Sequence, residues 1–355
     1  MKTKPDTDDL LRGEPPGLRT NATRWLQKRV MEQARKLPRV FASRAEWERF
    51  RDAMRRDLPR VIGVPRFPPL GDSLVRGRMR IGRDAVCERV DVFVDGDYAI
   101  PAFVFLPAKP PRKAMPALVW NPGWPQDKWN PAYQQFAVRM ARQGFVALVL
   151  DHAPFGETTF TGAQVPQGMT LVAGMGQVLG ISQLALRAAE TMRCGEYLRH
   201  RPDVDPARVA VAGLCQGGMA TWLAGALDEG FCAAAPICSV TTFALHFAEM
   251  ASYQANADPS PFPFGILGVC DVEHLYAAIA PRPLLVRANL GDNWWPVSGY
   301  QAVESFTRRI YRLYRAEGLM DFGGEAHEHN LTGPFADALE AFLLRHVVPR
   351  RRELG

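Results

Sequence analysis

Short apolar runs alternate with longer amphipathic stretches from about residue 89 to residue 346, and this rhythm predicts strands separated by helices. Arg89 to Val94 alternates polar and apolar side chains. Asp95-Gly96-Asp97 supplies turn residues, and Ala99 to Leu106 returns, so an antiparallel hairpin is expected to open the body. Unbroken apolar runs follow at Ala117 to Trp120, Phe145 to Leu150, Arg208 to Ala212, Cys232 to Ile237 and Pro283 to Ala288, with a last strand expected at about Gly318 to Phe322. Runs without polar alternation suit strands covered on both faces. Helices are expected around Ala132 to Gln143, Leu179 to Arg199, Met219 to Leu227, Gly299 to Ala316 and Phe335 to His346. The fold class this implies is α/β, with a doubly wound, mostly parallel sheet.

Three stretches fall outside that rhythm. Residues 1–20 are polar and proline-bearing, which predicts a tail without fixed structure. From Asn21 to about Leu58 the apolar positions Trp25, Val30, Phe41, Trp47, Phe50 and Met54 recur at helical intervals, broken near Pro38. Asn21 and Ser43 are candidate N-caps, and Glu46 completes a capping box with Ser43. A proline-rich connector, Pro59 to Pro69, follows, so residues 1–85 read as a tail and helical arm and residues 86–350 as the body. Asp151 to Gln177 is glycine-rich and reads as a long loop. Residues 239–280 are rich in aromatic residues and proline, fit no core element, and predict an inserted lid or cap.

Composition narrows the function classes. The 355 residues carry a net charge of +6, but residues 1–60 hold 16 Lys/Arg against 9 Asp/Glu, so the excess belongs to the arm. There arginines and acids are interleaved, as on a solvated helix face, so no nucleic-acid partner is expected. No apolar run approaches the roughly 18 residues of a membrane span, and no membrane association is expected. The six cysteines, Cys87, Cys194, Cys215, Cys232, Cys238 and Cys270, form no CxxC pair. With a polar start from Met1 to Gly13, they predict a cytoplasmic protein with reduced thiols. A homodimer through the N-terminal helices is left open.

The chemistry centres on Gly213-Leu214-Cys215-Gln216-Gly217, where a strand meets a helix. This is the spacing of a nucleophile elbow, Gly-x-nucleophile-x-Gly, with a thiol in the reactive position. A cysteine nucleophile needs a base, and the base needs an orienting acid, drawn from loops at later strand ends. After Pro283 to Ala288, Asn289-Leu290-Gly291-Asp292-Asn293-Trp294-Trp295 offers Asp292 as its only carboxylate. After the last strand, Gly323-Gly324-Glu325-Ala326-His327-Glu328-His329 offers two histidines, of which His327, nearer the glycine pair, is preferred. The order Cys215, Asp292, His327 is nucleophile, acid, base. The backbone N–H groups of Gln216 and Trp124, the latter in Asn121-Pro122-Gly123-Trp124-Pro125, are the candidate oxyanion donors. Trp294, Trp295, His152 and His246 are candidate substrate contacts, while His200, His274 and His346 read as helix or surface residues. No ligand cluster calls for a metal, and no cofactor is expected.

With these residues in hand, the chain resembles the α/β hydrolases. The elbow is similar to that of dienelactone hydrolases, which use a Cys-His-Asp triad. The longer architecture resembles acetyl-xylan-esterase-like and prolyl-oligopeptidase-like hydrolases. It does so through the helical arm, Asp203-Val204-Asp205-Pro206-Ala207-Arg208-Val209 before the elbow, Ile279-Ala280-Pro281-Arg282-Pro283-Leu284-Leu285 before the acid, and the aromatic insertion. That branch usually carries serine. The resemblance implies hydrolysis of an ester, lactone or thioester of a small acyl substrate through a thioacyl-enzyme. Acyl transfer or cyclisation by the same triad, and a non-catalytic binding protein on the same fold, are the alternatives.

Overall fold

The computed structural model describes residues 22–159, 165–249, 262–292, 294–326 and 328–348. Its strands are β1 (Leu74–Ile81), β2 (Ala85–Phe93), β3 (Ala99–Pro107), β4 (Met115–Asn121), β5 (Val146–Leu150), β6 (Val204–Leu214), β7 (Ala233–Ile237), β8 (Leu284–Asn289) and β9 (Met320–Glu325). The helices of two turns or more are α1 (Ala22–Ala34), α2 (Arg44–Ile62), α3 (Pro131–Arg142), α4 (Val165–Leu179), α5 (Gln183–His200), α6 (Gln216–Leu227), α7 (Phe243–Glu249), α8 (Val272–Ala278), α9 (Val297–Leu313) and α10 (Gly333–His346). Among the described residues the strands make one sheet, ordered β1-β2-β3-β5-β4-β6-β7-β8-β9. The pairings from β1 through β3 to β5 are antiparallel, and those from β5 through β4 to β9 are parallel. The doubly wound α/β class is therefore what the chain folds into.

Strands β4, β5 and β7 are buried along their whole length, as their unbroken apolar runs predict. Two apolar clusters cover the sheet. One holds α2, α5, α6, α8 and α9, and the other α3 and α10. Strand β4 is flanked by β5 on one side and β6 on the other, so the chain leaves it in opposite directions. At such a switch point the loops beyond the carboxyl ends part and leave a crevice. The elbow after β6 and the loop after β4 both open there.

Three expectations need correction. The division at residue 85 falls between β1 and β2, which pair from Leu74↔Asp91 to Ile81↔Ala85. The arm also shares the main core. Trp47, Met54, Leu58 and Ile62 of α2 are fully buried in it, and Arg55 donates to the carbonyls of Ala226 (2.8 Å) and Ala278 (2.9 Å). Secondly, the stretch expected as a loop over 151–177 contains α4, whose lack of charge and run of glycines hid its helical character. Thirdly, the expected lid over 239–280 is core at its far end. Helix α8 is buried throughout, and Asp271 caps it while also accepting from the Phe243 N–H (2.8 Å). His274, expected as a helix or surface residue, is fully buried there and meets the Pro38 carbonyl oxygen at 2.8 Å. Residues 250–261 of that interval, the tail and Asn21 lie outside the described residues.

Candidate active site

Strand β6 ends at Leu214 and α6 begins at Gln216, so one residue makes the whole turn. That residue, Cys215, has φ 58° and ψ −123°, a conformation that costs a non-glycine residue free energy and persists only where the surroundings enforce it. They do so here on both sides. The Cys215 N–H donates to the Ile237 carbonyl at 2.9 Å, and its own carbonyl accepts from Met219 N–H at 3.0 Å, the first turn of α6. A Cβ on Gly217 would lie 2.1 Å from the Asn121 carbonyl oxygen, so only glycine lets α6 start this close to β4. The half-buried thiol therefore sits at the positive end of a helix.

The loop after β4 presses against that thiol. A Cβ on Gly123 would come 3.1 Å from the Cys215 Cβ and 3.0 Å from the Leu214 carbonyl oxygen. Gly123 N–H donates to the Tyr133 hydroxyl at 3.2 Å. Trp124 is half-buried beside it, and its indole N–H is taken up by the Met169 sulfur of α4. Gln216 lies in the first turn of α6, and its side-chain oxygen accepts from the buried guanidinium of Arg187 on α5, which also stacks over Phe155 at 5.1 Å.

Asp292 and His329 close the constellation. Asp292 is buried in the loop after β8, where its Oδ1 accepts from the Trp294 N–H at 2.9 Å. Its Oδ2 is hydrogen-bonded to Nδ1 of His329, and Cys215 lies near enough to the same imidazole to act on its charge. Burial alone would lower His329. The hydrogen bonds and negative charge of Asp292 and Cys215 outweigh it and carry the imidazole up to about 10. The histidine that meets Asp292 is thus His329, where the sequence favoured His327. His327 itself lies outside the described residues. The β9 ladder runs on to Glu325, and His329 follows it in the loop.

His152 does not line the crevice. It is buried beneath it, with Nδ1 2.6 Å from Glu190 Oε2 and Nε2 3.1 Å from Asn121 Oδ1. Asn121 donates its amide to the Ala212 carbonyl (3.3 Å) and the Thr221 hydroxyl (3.0 Å), so its oxygen faces His152 and the Thr191 hydroxyl (2.8 Å). Burial holds the His152 pKa below the ordinary histidine value, against the pull of Glu190. Tyr98 donates to the other Glu190 oxygen. Lys128, fully buried, binds Asp151 and Glu157 and so clamps the loops after β4 and β5 together. None of Asn121, Tyr133, Arg187 and Glu190 stood out in the sequence. A buried polar residue in an apolar run, such as Asn121 at the end of β4, is the signal that could have found them.

Trp294 stands exposed at the mouth. Trp295 instead packs toward the core, with its ring 5.8 Å from that of His246, which is itself buried among Phe247 and Phe262. For metals, Cys238, Asp292 and His329 are the described group whose ligand atoms lie within 4.8 Å of one another, and two of the three already bind each other.

No family model matches the chain. A Bacillus subtilis (strain 168) protein named "Putative hydrolase YtaP" is 23% identical over 190 residues, 52% of this chain and 58% of that relative, so the match spans little more than half of its length. Among solved structures, "Methylesterase BT1017" superposes with a TM-score of 0.69 at 21% identity, covering 92% of this chain and 70% of that one. A glucuronoyl esterase from Solibacter usitatus gives 0.65 at 18% identity, covering 82% and 91%. What these structures share with this one is the overall course of the chain, the α/β-hydrolase fold.

Proposed function

We propose that this protein hydrolyses a carboxylic ester, lactone or thioester of a small molecule through a thioacyl-enzyme on Cys215. The observation that carries the proposal is the chain of contacts Cys215, His329, Asp292 at a strained strand-to-helix turn. His329 holds the proton of the Cys215 thiol, and the thiolate attacks the carbonyl carbon. The backbone N–H groups of Gln216, in the first turn of α6, and of Trp124, in the loop that meets Cys215, receive the oxyanion. His329 then protonates the leaving oxygen or sulfur, and water activated by the same imidazole releases the acid. Asp292 holds the ring in the orientation this requires. The similar structures named methylesterase and glucuronoyl esterase are both esterases, which supports an ester as the substrate class. Free thiols throughout the described chain support a reducing compartment.

The test is intact-protein mass spectrometry of wild type and Cys215→Ala with a panel of activated esters, enol-lactones and thioesters. Wild type is expected to gain one acyl mass and to turn over, and the variant to do neither. Undiminished turnover by Cys215→Ala overturns the reading.

A further inference from the structure

A second cysteine stands beside the first. Strands β6 and β7 are parallel neighbours whose last register pair is Leu214↔Ile237, so Cys215 and Cys238 are the residues that immediately follow the two strand ends. Neighbouring strands run about 4.8 Å apart, inside the roughly 4.4–6.8 Å between Cα atoms that a disulfide spans. Both residues turn out of their strands with positive φ, 58° and 49°. Both side chains belong to the same apolar cluster. Cys215 lies near the His329 imidazole and acts on its charge, and a nitrogen of that ring lies within 4.8 Å of the Cys238 sulfur, so both sulfurs face one imidazole. The other four cysteines are placed elsewhere, Cys87 on β2, Cys194 on α5, Cys232 before β7 and Cys270 before α8.

We propose that Cys238 is the resolving thiol for Cys215, so that oxidation by a hydroperoxide stores the nucleophile as a reversible Cys215–Cys238 disulfide. This rests on the reading of Cys215 as a reactive thiolate. The Cys215 sulfur attacks the peroxide, the O–O bond breaks, one oxygen stays as the sulfenic acid and the other leaves as the alcohol or water. The Cys238 sulfur then attacks the Cys215 sulfur, the S–O bond breaks, and the hydroxyl departs with the Cys238 proton as water. The two sulfurs are oxidised together by two electrons, and the peroxide is reduced by two. Burial, and then the charge of Asp292, push the Cys238 thiol upward, so it stays protonated and leaves acyl chemistry to Cys215 until the sulfenic acid forms. A thiol or dithiol reductant reverses the bond.

The experiment treats the reduced full chain with hydrogen peroxide, blocks remaining thiols with an alkylating agent, and maps peptides with and without prior reduction. The expected product lacks two hydrogens and joins the Cys215 peptide to the Cys238 peptide. Cys238→Ser, or Cys238→Ala if the serine protein folds poorly, is expected to carry two or three oxygens on Cys215 instead and to resist rescue by dithiothreitol. Wild-type Cys215 progressing to sulfinic acid with no linked peptide overturns the proposal, as does a disulfide to any other cysteine. Acyl-enzyme formation by the reduced protein is read in parallel. Acylation without the disulfide defeats this inference alone, and loss of acylation defeats the hydrolase reading.

Discussion

Nε2 of His152 lies 3.1 Å from Oδ1 of Asn121, and Asn121 is the last residue of β4 before the loop that meets the nucleophile. Through Asn121 the buried His152–Glu190 pair positions that loop and the start of α6 at once. Removing the ring leaves Glu190 Oε2 and the Asn121 oxygen each short of a buried hydrogen-bond partner, which costs about 1–3 kcal/mol. His152→Ala is therefore expected to lower the urea midpoint. It should also reduce kcat more than it raises KM, since the displaced loop serves the oxyanion. A change in KM alone, or none in either, would count against this coupling.

The two histidines of the last loop should separate cleanly. His329→Ala removes the ring that joins Asp292 to Cys215 and is expected to lower kcat/KM by about 10²–10⁴-fold. His327→Ala is expected to leave kcat/KM within a few fold. Steady-state kinetics on one activated ester decides, and the reverse ranking would reinstate His327.

His329 also ties stability to pH. A histidine in an unfolded chain titrates near about 6.5, whereas folded His329 titrates at about 10. A raised folded value stabilises the native state fully below about pH 6.5, and the contribution is lost as pH climbs through about 10. The difference in urea midpoint between wild type and His329→Asn is thus expected to be largest near pH 6 and to shrink steadily toward pH 10. A gap that stays constant over that range contradicts the assignment.

The helical arm should behave as part of the body. Trp47 is fully buried, edge-on to Phe41 at 5.1 Å and to Phe306 of α9 at 6.1 Å. Trp47→Ala is expected to cost about 3–5 kcal/mol in a single cooperative unfolding transition. A small early transition, with the remainder unfolding as wild type does, would show an independent arm.

Local signals in the chain determined a great deal. Unbroken apolar runs located β4 to β8, because strands buried on both faces tolerate no polar alternation. Glycine spacing marked the elbow, because close backbone contact there leaves no room for a side chain. Ser43 and Glu46 marked the start of α2, where Glu46 N–H does donate to the Ser43 hydroxyl, while the Glu46 carboxylate bonds the Ala42 N–H. Strand β1 escaped notice because it is exposed along nearly its whole length, with Arg76 and Arg78 paired to Asp91 and Glu88 of β2 and Arg80 donating to the Arg83 carbonyl at 3.0 Å. What only the tertiary structure decided was partnership. Two histidines stand two residues apart after the last strand, and the contact of His329 with Asp292 is visible only in the fold. Likewise, nothing local says that Cys238 is the neighbour of Cys215, 23 residues away. That follows from β6 and β7 lying side by side, because strand pairing, not chain distance, sets which side chains share a site.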